Sequence, residues 1–192
     1  PSNTHFIIDS RLEKLYRDQM MAILESPSVL LIDARETNKS LERIPDYVGH
    51  LVSRRLRRDS VLVAIGGGII QDITCFLSAT MLRGVPWKFY PTTLLAQADS
   101  CIGSKSSINC GSKKNILGTF TPPKEVYLVG SFIETLNEAQ IRSGIGEMLK
   151  VHIIEGPRSF DSIAMDYDGL FENPDTMRRY VRRSLETKKQ YI

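Results

Sequence analysis

The stretch Val61-Leu62-Val63-Ala64-Ile65-Gly66-Gly67-Gly68-Ile69-Ile70-Gln71-Asp72 decides how this chain is read. Its first five residues are apolar with no polar alternation, the pattern of a parallel strand buried on both faces. Three glycines end the strand, and the spacing that follows predicts a helix over about 69–82. Glycines allow a backbone to approach a ligand closely. The first amides of the next helix can then face a pyrophosphate, with the helix dipole adding to the attraction. The dinucleotide fingerprint with Gly at its first, third and sixth places is not matched, so a plain strand-to-helix turn stays open beside a phosphate cradle. Asp72 lies one turn into the helix with no evident packing role. A ligand-facing carboxylate and a solvated one both fit it.

Working outward, Thr4–Ile8 reads as a strand ending at Asp9, followed by Leu12, Leu15 and Met20 at helical spacing. Ser28–Ile32 is a second strand-like run, and Leu41, Ile44, Val48, Leu51 and Val52 mark an amphipathic helix. Downstream, Trp87–Tyr90 and Val126–Val129 read as strands, and after Thr135 the strands stop. Ala139–Ile154 and Asp175–Gln190 look helical. Strands alternating with helices imply an α/β fold with a parallel, doubly wound sheet. The expected organisation is an N-terminal Rossmann-like dinucleotide-binding domain over residues 1–137, then the start of an α-helical domain over 138–192.

Composition narrows the class. Of 192 residues, 42% are hydrophobic and 24% charged, with 25 basic against 22 acidic side chains, an ordinary globular balance. A net charge of +3 is too small for a nucleic-acid binder, which shows a clustered basic excess. No apolar run reaches the roughly 18 residues of a membrane helix. Cys75, Cys101 and Cys110 lack metal-ligand spacing and are expected to be reduced thiols of a cytoplasmic protein. The first residue is Pro, so the natural start is expected to lie upstream. Arg54-Arg55 with Arg57-Arg58, and Arg178-Arg179 with Arg182-Arg183, read as solvated helix faces.

A longer series of motifs sharpens the reading. Gly66-Gly67-Gly68-Ile69-Ile70-Gln71-Asp72 is followed by Arg83-Gly84 and by Pro91-Thr92-Thr93-Leu94-Leu95-Ala96-Gln97-Ala98-Asp99-Ser100. Lys105, Asn109, Lys114-Asn115 and Gly118 come next, and Ser143-Gly144-Ile145-Gly146-Glu147-Met148-Leu149-Lys150 completes the series. In order and spacing this resembles the 3-dehydroquinate synthase family of sugar-phosphate cyclases over nearly the whole chain. The resemblance implies NAD- and metal-dependent conversion of 3-deoxy-arabino-heptulosonate 7-phosphate to 3-dehydroquinate, with phosphate release and NAD regenerated. It also implies Zn²⁺ or Co²⁺ as the metal and a homodimer.

Carried over residue by residue, Glu147 matches the metal-binding glutamate. Lys105, Asn115, Lys150 and Lys188 match substrate-contacting positions, with Lys189 a near competitor of Lys188. Asp99 resembles an acidic residue that orients substrate and cofactor, and Arg83 a phosphate-binding arginine that reaches the neighbouring subunit. On the NAD side stand Asp9, Glu36, Lys39, Gly67, Gly68, Asp72, Thr92, Thr93 and Lys114, with Lys105 adjoining. Phe132, Thr135 and Leu136 match a later cofactor-contacting loop. Arg35 replaces a glycine of the family's Gly-Glu-x-x-Lys segment.

Departures concentrate near the substrate positions. Gly103-Ser104-Lys105 replaces Gly-Gly-Lys, Ser106-Ser107 follows where a Thr is common, Gln71 stands for Gly, and Asn137 for Pro. These keep 2-deoxy-scyllo-inosose and 2-epi-5-epi-valiolone synthases open as alternatives, together with a related metal-dependent alcohol dehydrogenase or a non-catalytic NAD-binding module. The family's two metal-binding histidines have no counterpart here. His152, five residues after Glu147, sits roughly 140° around the helix from it and reads as a non-ligand. The missing histidines are expected beyond Ile192, as in a fragment of a longer enzyme.

Overall fold

The computed structural model describes residues 3–191. Their packing forms two compact units, one of residues 3–91 with 104–127 and the other of residues 92–103 with 128–191. The division therefore falls at other points than a single boundary near Asn137. Thr92–Gly103 packs with the later helices, and the segment after it returns to the first unit.

The first unit is built on a parallel sheet. Strands β1 (Thr4–Asp9), β2 (Val29–Ile32), β3 (Val61–Gly66), β4 (Trp87–Pro91) and a two-residue strand, Glu125–Val126, lie in the order second, first, third, fourth and last. All pairings are parallel: Ile8 is opposite Ile65, and Ile65 opposite Tyr90. The quoted stretch is the middle of this sheet. Leu62, Ala64, Ile7, Ile8 and Phe89 are fully buried, as a strand flanked on both sides and covered on both faces requires. Helices α1 (Ser10–Leu15), α2 (Arg17–Leu24), α3 (Ile44–Ser53) and α4 (Gly68–Thr80) connect the strands.

Several expectations are corrected in detail. The helix expected over 69–82 ends at Thr80, and a tight turn, Met81–Arg83, follows. There Leu82 and Arg83 take φ of 51° and 67° before Gly84 at 119°, a left-handed run that no α-helix continues. The strand expected over 126–129 shortens to Glu125–Val126. Leu41 lies in a short turn before α3, whose first turn carries Pro45, and Val52 is exposed while Tyr47 supplies the buried contact.

Unread in the sequence is an antiparallel hairpin of β5 (Lys105–Cys110) and β6 (Lys113–Phe120). Gly111 turns it at a φ of 55°. Gly118 is needed for close pairing, because a Cβ there would run into the Ser106 carbonyl. With the hairpin counted, the short strand Glu125–Val126 is β7.

The second unit is helical. Thr93 caps α5 (Leu94–Ala98) by accepting the Ala96 amide at 3.3 Å. Asn137 and Gln140 form a reciprocal capping box on α6 (Glu138–Glu155), which stabilises the start of the 18-residue helix. Helices α7 (Pro157–Met165), α8 (Gly169–Glu172) and α9 (Pro174–Lys188) follow. A Cβ on Gly144 would lie 2.5 Å from Leu94 Cγ, so the glycine of the Ser-Gly-Ile-Gly run lets α6 pack on α5. Among the described residues no helix is long and apolar enough to cross a membrane.

Candidate functional site

In the first unit, strand order places the chemistry. The chain steps from β1 outward to β2 and then back past β1 to β3, so the winding direction reverses between β1 and β3. Ligands of open α/β sheets bind outside the carboxyl ends of the strands at such a reversal. Asp9 ends β1 and Gly66-Gly67-Gly68 follow β3, at that same edge.

The glycine turn fits an anion. Gly67 is the N-cap of α4, with no side-chain cap and no acidic residue in the first turn. The first turn of this 13-residue helix therefore offers amide donors and a positive dipole end with no capping side chain on them. A Cβ on Gly66 would sit 2.5 Å from Ile70 Cγ1, whereas one on Gly68 would meet nothing within 4 Å. Gly66 thus serves strand-to-helix packing, and Gly68 borders open space. Asp9 is buried, accepts the Arg11 amide at 3.1 Å and pairs with the Arg11 guanidinium at 2.6 Å.

Beside the turn, a polar cluster joins three segments far apart in sequence. Lys39 is buried, and its ammonium donates to Asp72 Oδ2 at 3.0 Å and Asn115 Oδ1 at 2.8 Å, with Glu36 Oε1 3.6 Å away. Asp72 Oδ1 accepts the Ser107 amide at 3.2 Å. Burial pushes the Asp72 carboxyl above its usual range, opposed by Lys39 and by the Ser107 amide. Asn109 donates to Glu36 Oε1 at 2.9 Å and accepts the Asn115 amide at 2.9 Å. That bond from Asn109 is the main cause holding the Glu36 carboxyl below its usual range, with Lys39 and Lys114 adding to it. Glu36, Lys39, Asp72 and Asn115 are thus brought together as one network. Lys105 and Lys114 are exposed on the hairpin, and Arg83 is exposed on its strained turn.

The second unit holds another charged group. Lys188 donates to the Asp99 carbonyl at 2.7 Å and to Asp99 Oδ1 at 2.9 Å. Lys150 pairs with Glu147 one turn earlier on α6, and that bond raises the Lys150 pKa, with Asp99 contributing in the same direction. Lys189 makes no contact of this kind with Asp99, which separates it from Lys188. Cys101 is buried beside this group, and burial pushes its thiol up to about 12. Thr92 is buried, Thr93 is committed to the α5 cap, and Phe132, Thr135 and Leu136 lie on or next to the turn Gly130–Thr135.

A metal site is not completed by these residues. Among the described residues no three His, Cys, Asp or Glu side chains could jointly hold an ion. Glu147 is paired with Lys150, and His152 is fully buried, bonded to Ser159 Oγ at 2.5 Å and facing Tyr180 edge-on. His152 is a core histidine.

Sequence reasoning missed two participants. The motif series contains Asn109 without a role, and Ser107 enters it only as a departure; their bonds to Glu36, Asp72 and Asn115 depend on the hairpin register. The signal available was the Cys110-Gly111-Ser112 turn between two strand-length runs.

Comparison with known proteins agrees with this architecture. The family model for the 3-dehydroquinate synthase N-terminal region matches residues 29–143. The 3-dehydroquinate synthase of Clostridium tetani is 31% identical over 194 residues, covering 100% of this chain and 52% of that protein. The structure of 2-epi-5-epi-valiolone synthase from Streptomyces hygroscopicus subsp. jinggangensis, with NAD⁺ and Zn²⁺ bound, superposes with a TM-score of 0.89 at 29% identity, covering 98% of this chain and 55% of that one. A 2-deoxy-scyllo-inosose synthase structure gives a TM-score of 0.69 at 25% identity, over 78% of this chain and 43% of that one. The chain spans about half the length of the curated relatives it matches. With the family model covering residues 29–143 and a synthase relative aligned over the whole of this chain, the chain belongs to the 3-dehydroquinate synthase family.

Proposed function

We propose that the protein of which this chain is part is a 3-dehydroquinate synthase, converting 3-deoxy-arabino-heptulosonate 7-phosphate to 3-dehydroquinate with release of phosphate. The observation that carries this reading is the pair of hydrogen bonds that Lys188 donates to the Asp99 carbonyl and carboxylate. It unites two residues 89 positions apart that the family resemblance assigns separately to one substrate site. Cytoplasmic location and a homodimer belong to the same proposal.

NAD suits the first unit on its own evidence, namely uncapped amides at a glycine turn on the reversal edge of the sheet. Gly67, Gly68 and the first α4 amides would receive its pyrophosphate, with Asp72, Glu36, Lys39 and Asp9 on the ribose and adenosine side. When bound, NAD supplies transient oxidation of one substrate hydroxyl, which makes the neighbouring C–H acidic enough to lose. Among the described residues the side chains that could hold a divalent metal do not suffice.

The chain's own residues have definite tasks. Lys150 and Lys188 are ammonium donors for anionic oxygens, and charge-assisted bonds to phosphate and carboxylate are about twice as strong as neutral ones. In the ligand-free state each is held by a carboxylate, Glu147 or Asp99, which fixes its position until substrate competes for it. Asp99 orients Lys188 through two acceptors. The Lys105 ammonium, on an exposed residue of β5 and in no side-chain hydrogen bond or ion pair among the described residues, is available to a ligand anion.

A second reading rests on a specific observation, the TM-score of 0.89 with 2-epi-5-epi-valiolone synthase. The two are separated by substrate. Full-length protein should release phosphate from 3-deoxy-arabino-heptulosonate 7-phosphate. Cyclisation of sedoheptulose 7-phosphate in its place, with the heptulosonate inert, overturns the first reading in favour of the second.

A further inference from the structure

We propose that Ser107 is a positioning residue that, together with Lys39, holds the Asn115 carboxamide with its nitrogen turned outward, so that the site selects a ligand oxygen able to accept a hydrogen bond there. The proposal rests on the substrate-contacting role of Asn115 in the function proposed above, and it adds a residue that the family resemblance does not assign.

The orientation follows from donor and acceptor chemistry. A lysine ammonium has three donors and no acceptor, so the amide edge 2.8 Å from Lys39 Nζ has to be the oxygen. Ser107 Oγ lies 3.1 Å from that same oxygen and donates to it. Two donors on Oδ1 commit the oxygen and leave Nδ2, with its two N–H groups, on the opposite side. Among the described residues Nδ2 has no partner. Asn115 is exposed, so that donor edge faces outward.

The backbone is fixed as well. Asn115 sits at a φ of 54° within β6, in the left-handed region that asparagine tolerates better than most residues. Its amide is anchored by Asn109 Oδ1 at 2.9 Å, and Asn109 is held in turn by Glu36. Ser107 also donates its own amide to Asp72 Oδ1 at 3.2 Å. One serine thus holds a carboxylate on the nucleotide side through its backbone and an amide through its hydroxyl. Only the hydroxyl is lost in an alanine variant, so the two roles separate.

The test pairs a spectroscopic readout with kinetics. In ¹⁵N spectra of the 192-residue protein, the Asn115 side-chain NH₂ pair, assigned by its loss in Asn115→Asp, should be sharp and well dispersed. Ser107→Ala should move it toward the random-coil position, and Ser107→Thr, which keeps the hydroxyl, should restore it. In full-length protein turning over 3-deoxy-arabino-heptulosonate 7-phosphate, Ser107→Ala should lower kcat/KM roughly fivefold, the size of one lost neutral hydrogen bond, and the loss should vanish in an Asn115→Ala background. An NH₂ pair unmoved by Ser107→Ala overturns the positioning role, as does an undiminished loss in the Asn115→Ala background. A displaced NH₂ pair combined with full turnover in Asn115→Ala instead overturns the use of Asn115 in the proposed function, and the selection of a ligand oxygen falls with it.

Discussion

The Lys39 ammonium lies 3.0 Å from the Asp72 carboxylate and 2.8 Å from the Asn115 carboxamide oxygen. One buried cation therefore ties the helix after the glycine turn to the hairpin, across separations of 33 and 76 residues. Desolvation of such a cation is costly unless it is paired and hydrogen-bonded, and here Asp72 and Asn115 accept from it while the Glu36 carboxylate lies 3.6 Å away.

Removing that cation should be worse than removing the pair. Lys39→Met leaves Asp72 without its cation in a site where burial already raises its pKa, and it should cost about 2 kcal/mol of stability. The Lys39→Met/Asp72→Asn double variant should recover part of the loss. Urea denaturation with unchanged m-values reads both. A double variant less stable than Lys39→Met would contradict the pairing.

Asp72 itself should matter to the nucleotide as well as to the fold. Asp72→Ala leaves the buried Lys39 ammonium without its nearest carboxylate, so it should cost about 2 kcal/mol of stability, and NAD affinity should fall about tenfold, the value of one charge-assisted bond. Calorimetric titration of NAD into the 192-residue protein measures it. Wild-type affinity in the variant would remove Asp72 from the cofactor site.

Much of this was legible in the sequence because it is local. The buried strand, the glycine turn and the parallel neighbours follow from apolar runs and their punctuation, and β1 to β4 lie where the residues indicate. The hairpin was not legible, because Lys105–Cys110 and Lys113–Phe120 are polar strands whose pairing is fixed by register, not by an apolar run. The end of α4 was misplaced because Met81 and Leu82 continue its apolar spacing while the backbone turns left-handed at Leu82. Site residues in the motif series were nameable by likeness, but the Lys39 network needed coordinates, since no spacing rule links Ser107 to Asp72.

Acid should destabilise the chain through its buried histidines. Burial holds His152 below its usual pKa, with Arg183 acting the same way and Glu155 opposing; burial and His50 do the same for His5. For a base with a lowered folded pKa, the unfolded chain binds the extra proton, so stability is present above about 6.5 and is lost as pH falls through it. Replacing His152 by Gln should flatten part of that loss between about pH 7 and 5, read as the midpoint of urea unfolding at each pH. An unchanged slope would mean that His152 is not the titrating group.

Zinc should bind the 192-residue protein weakly and below one ion per chain. Structural and catalytic zinc sites take about three or four protein ligands; here the motif-supported Glu147 is paired with Lys150 and His152 is buried on Ser159. Elemental analysis after dialysis decides the point. A full equivalent of zinc lost in both Glu147→Ala and His152→Ala would show that the two residues meet around an ion.

The central claim, that the whole protein closes a carbocycle while regenerating its nicotinamide, is tested most directly by following released phosphate and NADH absorbance together. The reaction would contain full-length protein, NAD, a divalent metal and 3-deoxy-arabino-heptulosonate 7-phosphate. The account predicts many turnovers of phosphate with no net NADH. NADH accumulating in step with substrate consumed, without phosphate release, would mark a dehydrogenase and contradict it.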